Sequence, residues 1–263
     1  MLRLFLSIDM VGSTQFKAKC SGSGAGGWLD TFRTFFTHLP LMVAGQVGFE
    51  FLDRDETPAV DIWKVMGDEL IFIAEPNSAE EVTAILRAVL RTMRLFEEQH
   101  YQKLPLRLKG TAWVAEFGEE NIELDIPELT TGEGPPHTDF IGPDLDLGFR
   151  ISKFAKPATL TLSLDLVEIL LDCDDAASLN LYWVGAEPLK GVMFGRPYPI
   201  IWMPDPETGF DFLPWELDTC DLSAAVIKAD PTSHDDLRKV IGDMRHYLSK
   251  MHGAERPPFK IGC

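Results

Sequence analysis

The sequence predicts an α+β sandwich in which helices cover one face of a mainly antiparallel β-sheet. Three features predict this class: an opening strand at residues 2–9, two apolar strands at residues 61–66 and 70–74 around a Gly-Asp turn, and helices placed between the strands. A short turn joins strands that run antiparallel, so the second feature indicates the sheet type. The 263-residue chain is 45% hydrophobic, which is enough for one large domain with a proper core.

The first third of the chain contains a strand, a turn region and a helix. Apolar residues alternate with other residues at Leu2, Leu4, Leu6 and Ile8, as in a strand with one buried face. Residues 12–27 are rich in Gly and Ser. Large apolar side chains then recur at helical spacing and predict a helix: Trp28, Phe32, Phe35, Phe36 and Leu39.

The middle of the chain continues with the hairpin, a helix and a strand. The segment from Ser78 to Glu81 is a capping box, in which two side chains pair with backbone N–H groups at the start of a helix. The following helix carries one apolar stripe: Val82, Ile85, Leu86, Val89, Met93 and Phe96. Residues 106–117 are predicted to form a further strand.

The next segments alternate irregular and regular structure. Residues 118–138 are acidic, rich in Gly and Pro and low in periodicity, which predicts a surface excursion. A short helix follows Pro143, and a second helix runs from a cap at Ser163 to Leu171. Residues 181–203 supply the last strands.

The pattern changes near residue 206 to a Pro- and Asp-containing tail with one helix at about residues 234–250. We therefore predict a main domain over residues 1–205 and a C-terminal extension over residues 206–263. The order of elements in the main domain is compatible with a ferredoxin-like core.

Charge and composition exclude several classes of protein. The net charge is −17 and the sequence pI is about 4.7, and such a surface repels nucleic-acid backbone. No apolar run approaches the roughly 20 residues of a membrane span, and the first residues lack an export signal. The four cysteines show no zinc spacing, so we expect a reduced cytoplasmic protein without nucleic-acid or membrane partners.

Two carboxylates lie in contexts that suit a metal-bound phosphate. Asp9 closes the first strand just before the Gly12–Thr14 turn, and Asp68 lies at the tip of the hairpin. Two oxygen ligands on rigid backbone suit Mg²⁺ or Mn²⁺, and two such ions can support an in-line displacement at phosphorus. Each aspartate alone is typical of a turn carboxylate that accepts backbone N–H groups, so the hypothesis depends on the pair.

Several charged residues have both a structural and a functional interpretation. Asp146 and Arg150, four residues apart on a short helix, form either a surface ion pair or a site where Arg150 meets a phosphate in the transition state. Lys64, inside an apolar strand, either extends to solvent at a sheet edge or reaches a polar pocket. Lys190 by itself is typical of a solvated turn lysine.

Together these segments resemble the catalytic domain of class III nucleotidyl cyclases. FLSIDMVGSTQF resembles the first metal-binding strand and turn of that family, and WKVMGDELIF resembles its Lys-x-x-Gly-Asp hairpin. DFIGPDLDLGFR resembles the Asp-x-x-Gly…Asn-x-x-x-Arg segment, and LKGV resembles the late lysine loop. The four motifs follow the family order, which implies attack of a ribose 3′-oxygen on the α-phosphorus, release of pyrophosphate and a 3′,5′-cyclic nucleotide product.

The resemblance also implies a role for each matching residue. Two ions, Mn²⁺ or Mg²⁺, would be bound by Asp9 and Asp68 with the Met10 carbonyl. Arg150 would stabilise the pentavalent phosphorus and Lys190 would bind the polyphosphate. The β- and γ-phosphates would be held by the backbone amides of Gly12, Ser13, Thr14, Gln15 and Phe16.

In that family the site forms between two subunits, with the metals from one and the base and transition-state residues from the other. A homodimer with two composite sites is therefore implied. Lys64 and Asp139 match the base-recognition positions. The sequence departs from the family at Asp146, where the family has an Asn whose amide can donate to the ribose ring oxygen, whereas an ionised Asp only accepts.

The base is a separate question. Asp139 as acceptor and Lys64 as donor suit adenine and equally suit uracil, while cytosine fits less directly. Trp63 and Phe140 flank these positions, which favours a pocket narrowed for a single ring. The compact build is similar to the stand-alone pyrimidine cyclases of bacterial Pycsar anti-phage systems, which implies a uridylate cyclase that makes cyclic UMP from UTP as a second messenger in antiviral defence.

Three alternatives stay open. The protein could be an adenylate or cytidylate cyclase. It could be a catalytically silent cyclase-like module that binds a nucleotide or a partner. Asp146 keeps this alternative open, and the presence of Asp9, Asp68 and Arg150 argues against it. Residues 206–263 could also be a regulatory tail that covers the site until a signal arrives.

Overall fold

The structure is a computed structural model that describes residues 1–24, 26–54, 56–127, 137–210, 212, 230–253 and 255–261. Its strands are β1 (Leu2–Val11), β2 (Val60–Met66), β3 (Glu69–Ala74), β4 (Arg107–Glu116), β5 (Ile122–Ile126), β6 (His137–Ile141), β7 (Thr159–Leu162), β8 (Tyr182–Pro188) and β9 (Pro197–Pro204). Its α-helices are α1 (Ser13–Lys19), α2 (Gly26–Glu50), α3 (Ala79–Phe96), α4 (Pro143–Ile151), α5 (Leu164–Leu171) and α6 (His234–His252).

A seven-stranded sheet forms the centre of the molecule, with strand order β2-β3-β1-β4-β7-β9-β8. Its strand pairs are antiparallel except for the parallel pair β4–β7. Strands β5 and β6 form a separate two-stranded antiparallel hairpin. The α+β class with a mainly antiparallel sheet, predicted from the sequence, is confirmed.

The side chains of β1 alternate between two hydrophobic clusters because successive residues of a strand point to opposite faces. Leu4, Leu6 and Ile8 pack with helices α2, α3 and α5 in the larger cluster. Phe5 packs on the opposite face with Trp113 of β4 and with side chains of β6 and α4 in the smaller cluster. Helices α2, α3 and α5 therefore share one face, as expected, and α4 contacts the other face.

Two regions contain regular structure that the sequence did not predict. The Gly- and Ser-rich segment after β1 contains helix α1, and the acidic segment contributes β5 and the start of β6. The predicted surface excursion is exposed over most of β5, as expected, but residues 122–126 and 137–138 form strands despite their low periodicity. Residues 128–136 lie outside the described residues. Each of the two strands takes its backbone hydrogen bonds from the other, a long-range pairing that local periodicity does not reveal.

The C-terminal helix α6 packs on the main body through Leu237, Ile241, Met244 and Leu248, which are buried. It lies against α5. The domain boundary at residue 205 stays a prediction. None of the helices in the described ranges combines the length and the hydropathy that a membrane-spanning segment requires.

Candidate active site

Asp9 and Asp68 lie at one end of the β1–β3 strand pair. Asp9 is directly opposite Glu69 in the register of that pair, and Asp68 is the residue before Glu69. The Met10 amide donates to the Asp68 carbonyl at 3.3 Å, which ties the end of β1 to the tip of the hairpin. The structure therefore brings the two predicted metal ligands to the same place in the fold.

Glu69 is a third carboxylate at this place. Burial raises the pKa of Glu69 above its usual value of 4.5, and the charges of Asp9 and Asp68 raise it further, against a hydrogen bond from Ser7 and the charge of Lys109. Asp9 is opposite Glu69 and Asp68 precedes it, so the three carboxylates lie at the same end of the strand pair. Negative charge is concentrated here, as a cation site requires.

Lys109 of β4 is a positively charged side chain in contact with these carboxylates. It stands opposite Asp9 in the β1–β4 register, and its Nζ lies 3.1 Å from Asp9 Oδ2. Both side chains are about one quarter exposed, at 23% and 28%. Lys109 therefore neutralises part of the charge that a divalent ion would otherwise neutralise.

The turn after β1 holds Asp68 from the other side. The hydroxyl of Ser13, which is buried, donates to Asp68 Oδ2. Gly12 before it has a φ of +87°, and a Cβ at Gly12 would lie 2.7 Å from the Pro105 carbonyl oxygen, so only glycine fits there. The tight turn therefore brings the first turn of α1 to the carboxylates.

The predicted phosphate-binding amides begin helix α1. The first N–H groups of a helix have no acceptor within the helix, so the amides of Ser13, Thr14 and Gln15 remain candidates. The Phe16 amide donates to the Gly12 carbonyl at 2.9 Å, and its side chain is buried in the larger cluster. The Phe16 side chain therefore belongs to the core, and the phosphate contact of its amide stays a prediction.

The donor set at this edge consists of oxygen atoms. Two aspartate carboxylates and a main-chain carbonyl suit a hard divalent cation such as Mg²⁺ or Mn²⁺. Within the described residues, no group of three or more His, Cys, Asp or Glu side chains is arranged to hold a metal ion. The oxygen donors of Asp9, Asp68 and the Met10 carbonyl fit an ion that takes its other ligands from a triphosphate, as Mg²⁺ usually does in proteins.

Lys64 and Asp139 form an ion pair between β2 and β6, with Lys64 Nζ 2.5 Å from Asp139 Oδ1. Burial acts to raise the pKa of Asp139, but hydrogen bonds from Lys64 and the Phe140 amide, with the Lys64 charge, hold it below its usual range. A shift of register between Ile62 and Lys64 marks a bulge in β2. Bulges re-aim side chains, and this one accounts for a lysine from an apolar strand that meets a carboxylate.

Trp63 and Phe140 belong to the smaller hydrophobic cluster. Their ring centroids are 5.2 Å apart and both rings contact Phe5. Phe140 is buried and the Arg3 guanidinium lies 4.8 Å from its ring. The expectation that Phe140 narrows a base pocket stays a prediction. Trp63 does meet the pair, because Lys64 Nζ lies 4.4 Å from its ring centroid.

Arg150 lies in a different part of the subunit. Its Nη2 is 3.6 Å from Asp146 Oδ2, a loose pair on the surface of α4, and Asp146 is 70% exposed. Among the described residues, Arg150 Nε is buried without a hydrogen-bond partner. A Cβ built at Gly191 would lie 3.9 Å from Arg150 Nη2, so the loop of Lys190, which is exposed, runs beside this guanidinium.

A cavity of about 520 Å³ surrounds Arg150. Its lining includes Asp146 and Gly191 from the predicted segments, and Met244 and Arg256 from the C-terminal segment. Of the residues that the structure describes, neither Asp9 nor Asp68 lines this cavity. The residues predicted to bind metal and the residue predicted to act in the transition state therefore lie in separate places in this chain. Lys190 is exposed beside the cavity that contains Arg150.

Three residues near these sites were not singled out from the sequence. Glu69 follows Asp68 directly, so an adjacent acidic pair at a hairpin tip was a usable signal. Lys109 follows Leu108 on a predicted strand, but its pairing with Asp9 across the sheet depends on a long-range register. Arg256 lies in a segment without periodicity, and no local signal indicates its buried partners.

Comparisons with protein-family models and with curated protein sequences find no match for this chain. Solved structures do match. The adenylyl cyclase CyaB from P. aeruginosa has a TM-score of 0.56 and 14% identity, over 80% of this chain and 96% of that chain. An adenylate cyclase from Trypanosoma brucei has a TM-score of 0.53 and 14% identity, over 80% and 91%.

A guanylate cyclase domain, that of RhGC from Catenaria anguillulae in complex with GTP, has a TM-score of 0.51 and 10% identity, over 77% of this chain and 95% of that chain. These matches span nearly the whole of each cyclase structure, and at such low identity they concern the fold. The chain has the fold of the class III nucleotidyl cyclase domain, as the four sequence motifs predict.

Proposed function

We propose that this protein is a nucleotidyl cyclase that converts a ribonucleoside triphosphate, UTP in preference to others, to the 3′,5′-cyclic monophosphate and pyrophosphate. The observation that carries the proposal is the convergence of Asp9 and Asp68 at the end of the β1–β3 pair, joined by the Met10–Asp68 hydrogen bond. This convergence is what the reaction needs from the chain, because a triphosphate brings four negative charges to an already acidic protein.

The residues of this edge would bind and orient the triphosphate. Bound Mn²⁺ or Mg²⁺, two ions per site, would offset the phosphate charge and favour ionisation of the ribose 3′-hydroxyl. Asp9 and Asp68 would hold these ions, and the amides of Ser13, Thr14 and Gln15 would orient the terminal phosphates. Ser13 fixes the Asp68 carboxylate through its hydroxyl, so this ligand is positioned before substrate arrives.

Arg150, in the cavity, and Lys190, in the loop beside it, would act on the phosphates. A guanidinium with a buried, unpaired Nε and only a 3.6 Å contact to Asp146 is free to pair with a new anion. As charge grows on the α-phosphate oxygens, Arg150 would stabilise it, and Lys190 would bind the polyphosphate. Asp146 would accept a hydrogen bond from the sugar, since an ionised carboxylate cannot donate one.

A homodimer with composite sites is part of the proposal. Arg150 lies in a cavity that Asp9 and Asp68 do not line, so residues of both groups would meet one triphosphate only across a subunit boundary. Two-fold symmetry would then create two equal sites. We also propose that the product acts as a second messenger in anti-phage defence in the cytoplasm, on the basis of the sequence resemblance.

The base preference rests on Lys64 and Asp139. A paired donor and acceptor complement the O4 acceptor and the N3–H donor of uracil, and adenine can satisfy the same pair. Trp63 adds an aromatic face beneath the Lys64 ammonium. UTP is therefore the first substrate to test, with ATP and CTP as the alternatives.

The test is a product assay with ATP, GTP, CTP and UTP in turn, with Mn²⁺ and then Mg²⁺. We expect cyclic UMP as the main product, and no turnover by Asp9→Asn or Asp68→Asn, which keep the side-chain shape but weaken metal binding. Asp30→Asn is the matched control, because Asp30 is 88% exposed on α2 and should turn over normally.

Two results would contradict the proposal in different ways. Turnover of ATP in preference to UTP would overturn the base assignment and leave a cyclase. Nucleotide binding without any product from the folded wild-type protein would indicate a silent cyclase-like module.

A further inference from the structure

A buried ionic cluster joins the C-terminal segment to two helices of the main body. The Arg256 Nη2 atom lies 2.6 Å from Asp144 Oδ1 in the first turn of α4 and 2.7 Å from Asp165 Oδ2 in the first turn of α5. Its Nε also donates to Asp165 Oδ1 at 3.0 Å. The two carboxylate side chains are only 4% and 2% exposed, so each needs a counter-charge. Arg256 supplies one to both, and Arg245 Nη2 of α6 lies 3.7 Å from Asp165 Oδ1.

Other contacts make Asp144 a fixed point of α4. The Asn121 side-chain amide donates to Asp144 Oδ2 at 2.7 Å, and the Asp144 amide donates to Asn121 Oδ1 at 3.2 Å. Asn121 thus holds the start of α4 on one side, and Arg256 ties it to α5 on the other. The cluster therefore determines where α4 begins.

Helix α4 also carries Arg150, two turns after Asp144. Both Arg150 and Arg256 line the same cavity, together with Met244 and Leu248 of α6. The C-terminal segment thus forms one wall of the cavity that contains the Arg150 guanidinium. Any rotation of α4 about its first turn would move that guanidinium within the cavity.

We propose that Arg256 is a positioning residue for Arg150: by bridging Asp144 and Asp165 it locks the start of α4 to α5 and sets the orientation of the Arg150 side chain. The proposal rests on the proposed cyclase function for its kinetic consequence. It makes Arg256 of the C-terminal extension part of the catalytic unit. It also gives the extension a positive role, in place of the alternative that a tail covers the site.

The test compares Arg256→Met with the wild type in steady-state kinetics at a temperature where both are folded. A displacement of about 1 Å can cost on the order of 100-fold in rate, so we expect kcat to fall by about 10- to 100-fold. The KM for the nucleotide and the apparent affinity for Mn²⁺ should stay unchanged, because Asp9 and Asp68 are not touched. Arg256→Lys, which keeps the charge without the fork, should fall between the two.

Arg238→Met is the matched control. Arg238 lies on α6 and pairs with Asp172 at 2.9 Å, but both side chains are about half exposed or more, at 48% and 67%. This variant should keep wild-type kcat, because it removes an arginine from the same segment without touching α4.

Hydrogen exchange separates this proposal from the proposed function. In Arg256→Met the amides of α4 should exchange faster than in the wild type, while those of α3 should not change, whether or not the protein has cyclase activity. Unchanged α4 exchange, or an unchanged kcat in folded Arg256→Met, would overturn the positioning role. If Arg256→Met does not fold, the same two measurements on Arg256→Lys decide the matter, with unchanged values again counting against the role. A wild-type protein that makes no cyclic nucleotide would remove the cyclase assignment only.

Discussion

At the scale of single residues, two charged side chains besides the aspartates shape the candidate metal site. Lys109 contacts Asp9 at 3.1 Å, and Glu69 lies between Asp9 and Asp68 in the register of the sheet. Burial and the charges of Asp9 and Asp68 all disfavour the ionised form of Glu69. The crowded carboxylates therefore destabilise the folded protein, and they concentrate negative charge at the candidate site.

This arrangement predicts a pH-dependent effect of Glu69→Gln. The pKa of Glu69 in the folded protein lies above 4.5, its usual value and the one expected in the unfolded chain. At a pH between these two pKa values, the folded protein therefore binds more protons than the unfolded chain. Stability then falls as the pH rises through the folded value, and Glu69→Gln removes this loss. We expect the variant to have a higher Tm at neutral pH, with a difference that shrinks as the pH falls through the folded-state pKa of Glu69.

Thermal unfolding without divalent ions measures the effect, with Glu119→Gln as the control. Glu119 is exposed, and its replacement should leave the Tm close to that of the wild type at each pH. A Tm difference between Glu69→Gln and the wild type that does not vary with pH would show that the surroundings of Glu69 do not raise its pKa.

The sequence predicted some of these residues because their contexts are local. A strand end followed by a Gly-Ser-Thr turn, and a Gly-Asp hairpin tip, are visible in consecutive residues, so Asp9 and Asp68 were found. Lys109 was not found, because its contact with Asp9 depends on which residues of β1 and β4 are opposite each other. For Phe16 and Phe140, motif position alone does not tell that the Phe16 amide is paired with Gly12 or that the Phe140 ring is buried.

At the scale of elements, α4 is set by how closely it approaches β4. A Cβ built at Gly148 would lie 2.2 Å from a ring carbon of Trp113, which is fully buried. Trp113 in turn stacks on Phe5, with centroids 5.5 Å apart and planes 9° apart. Because Phe5 packs against the Trp113 ring, the ring cannot move away from α4. Helix α4 can therefore lie this close to β4 only with glycine at position 148.

Gly148→Ala should therefore destabilise the protein although alanine favours helices. Overpacking a rigid core costs about 1–3 kcal/mol, which exceeds the propensity gain of about 1 kcal/mol. Urea unfolding should show a lower midpoint, and kcat should fall because α4 carries Arg150. Gly45→Ala in α2 is the control: its Cβ would meet no atom within 4 Å, so stability should stay equal or rise. An unchanged midpoint in Gly148→Ala would show that Trp113 can move.

Most helices and strands were predictable from the sequence, and the exceptions share one cause. Hydrophobic periodicity and capping residues act within a few residues, so α3 with its Ser78 cap follows directly from the chain. The bulge in β2 and the pairing of β5 with β6 depend on partners elsewhere in the fold. No local pattern carries that information.

At the scale of the whole molecule, the candidate residues fall into two groups in two places. The carboxylate edge and the Arg150 cavity belong to one chain, but each is incomplete for a cyclase reaction. A composite site therefore predicts complementation between two inactive variants. Asp68→Asn and Arg150→Ala should each be inactive or nearly so, and a mixed dimer of the two should contain one intact site.

Mixing the two variants in equal amounts should restore activity to about one quarter of the wild-type value, because half of the dimers are mixed and each has one working site of two. The measurement is product formation against mixing ratio, with a maximum at equal amounts. Asp9→Asn mixed with Asp68→Asn is the control and should stay inactive, since both changes affect the same group. Restored activity in that control, or none in the first mixture, would contradict composite sites.

The bulge in β2 has a consequence for the behaviour of the protein in concentrated solution. β2 is an edge strand, and Ile62, Val65 and Met66 expose 46%, 57% and 41% of their surface. A flat edge with such side chains would be a template for strand addition and fibre growth. The extra residue between Ile62 and Lys64 interrupts the free N–H and C=O groups halfway along the strand, so a foreign strand cannot pair over its full length. The same irregularity that turns Lys64 toward Asp139 thus also protects the molecule against aggregation.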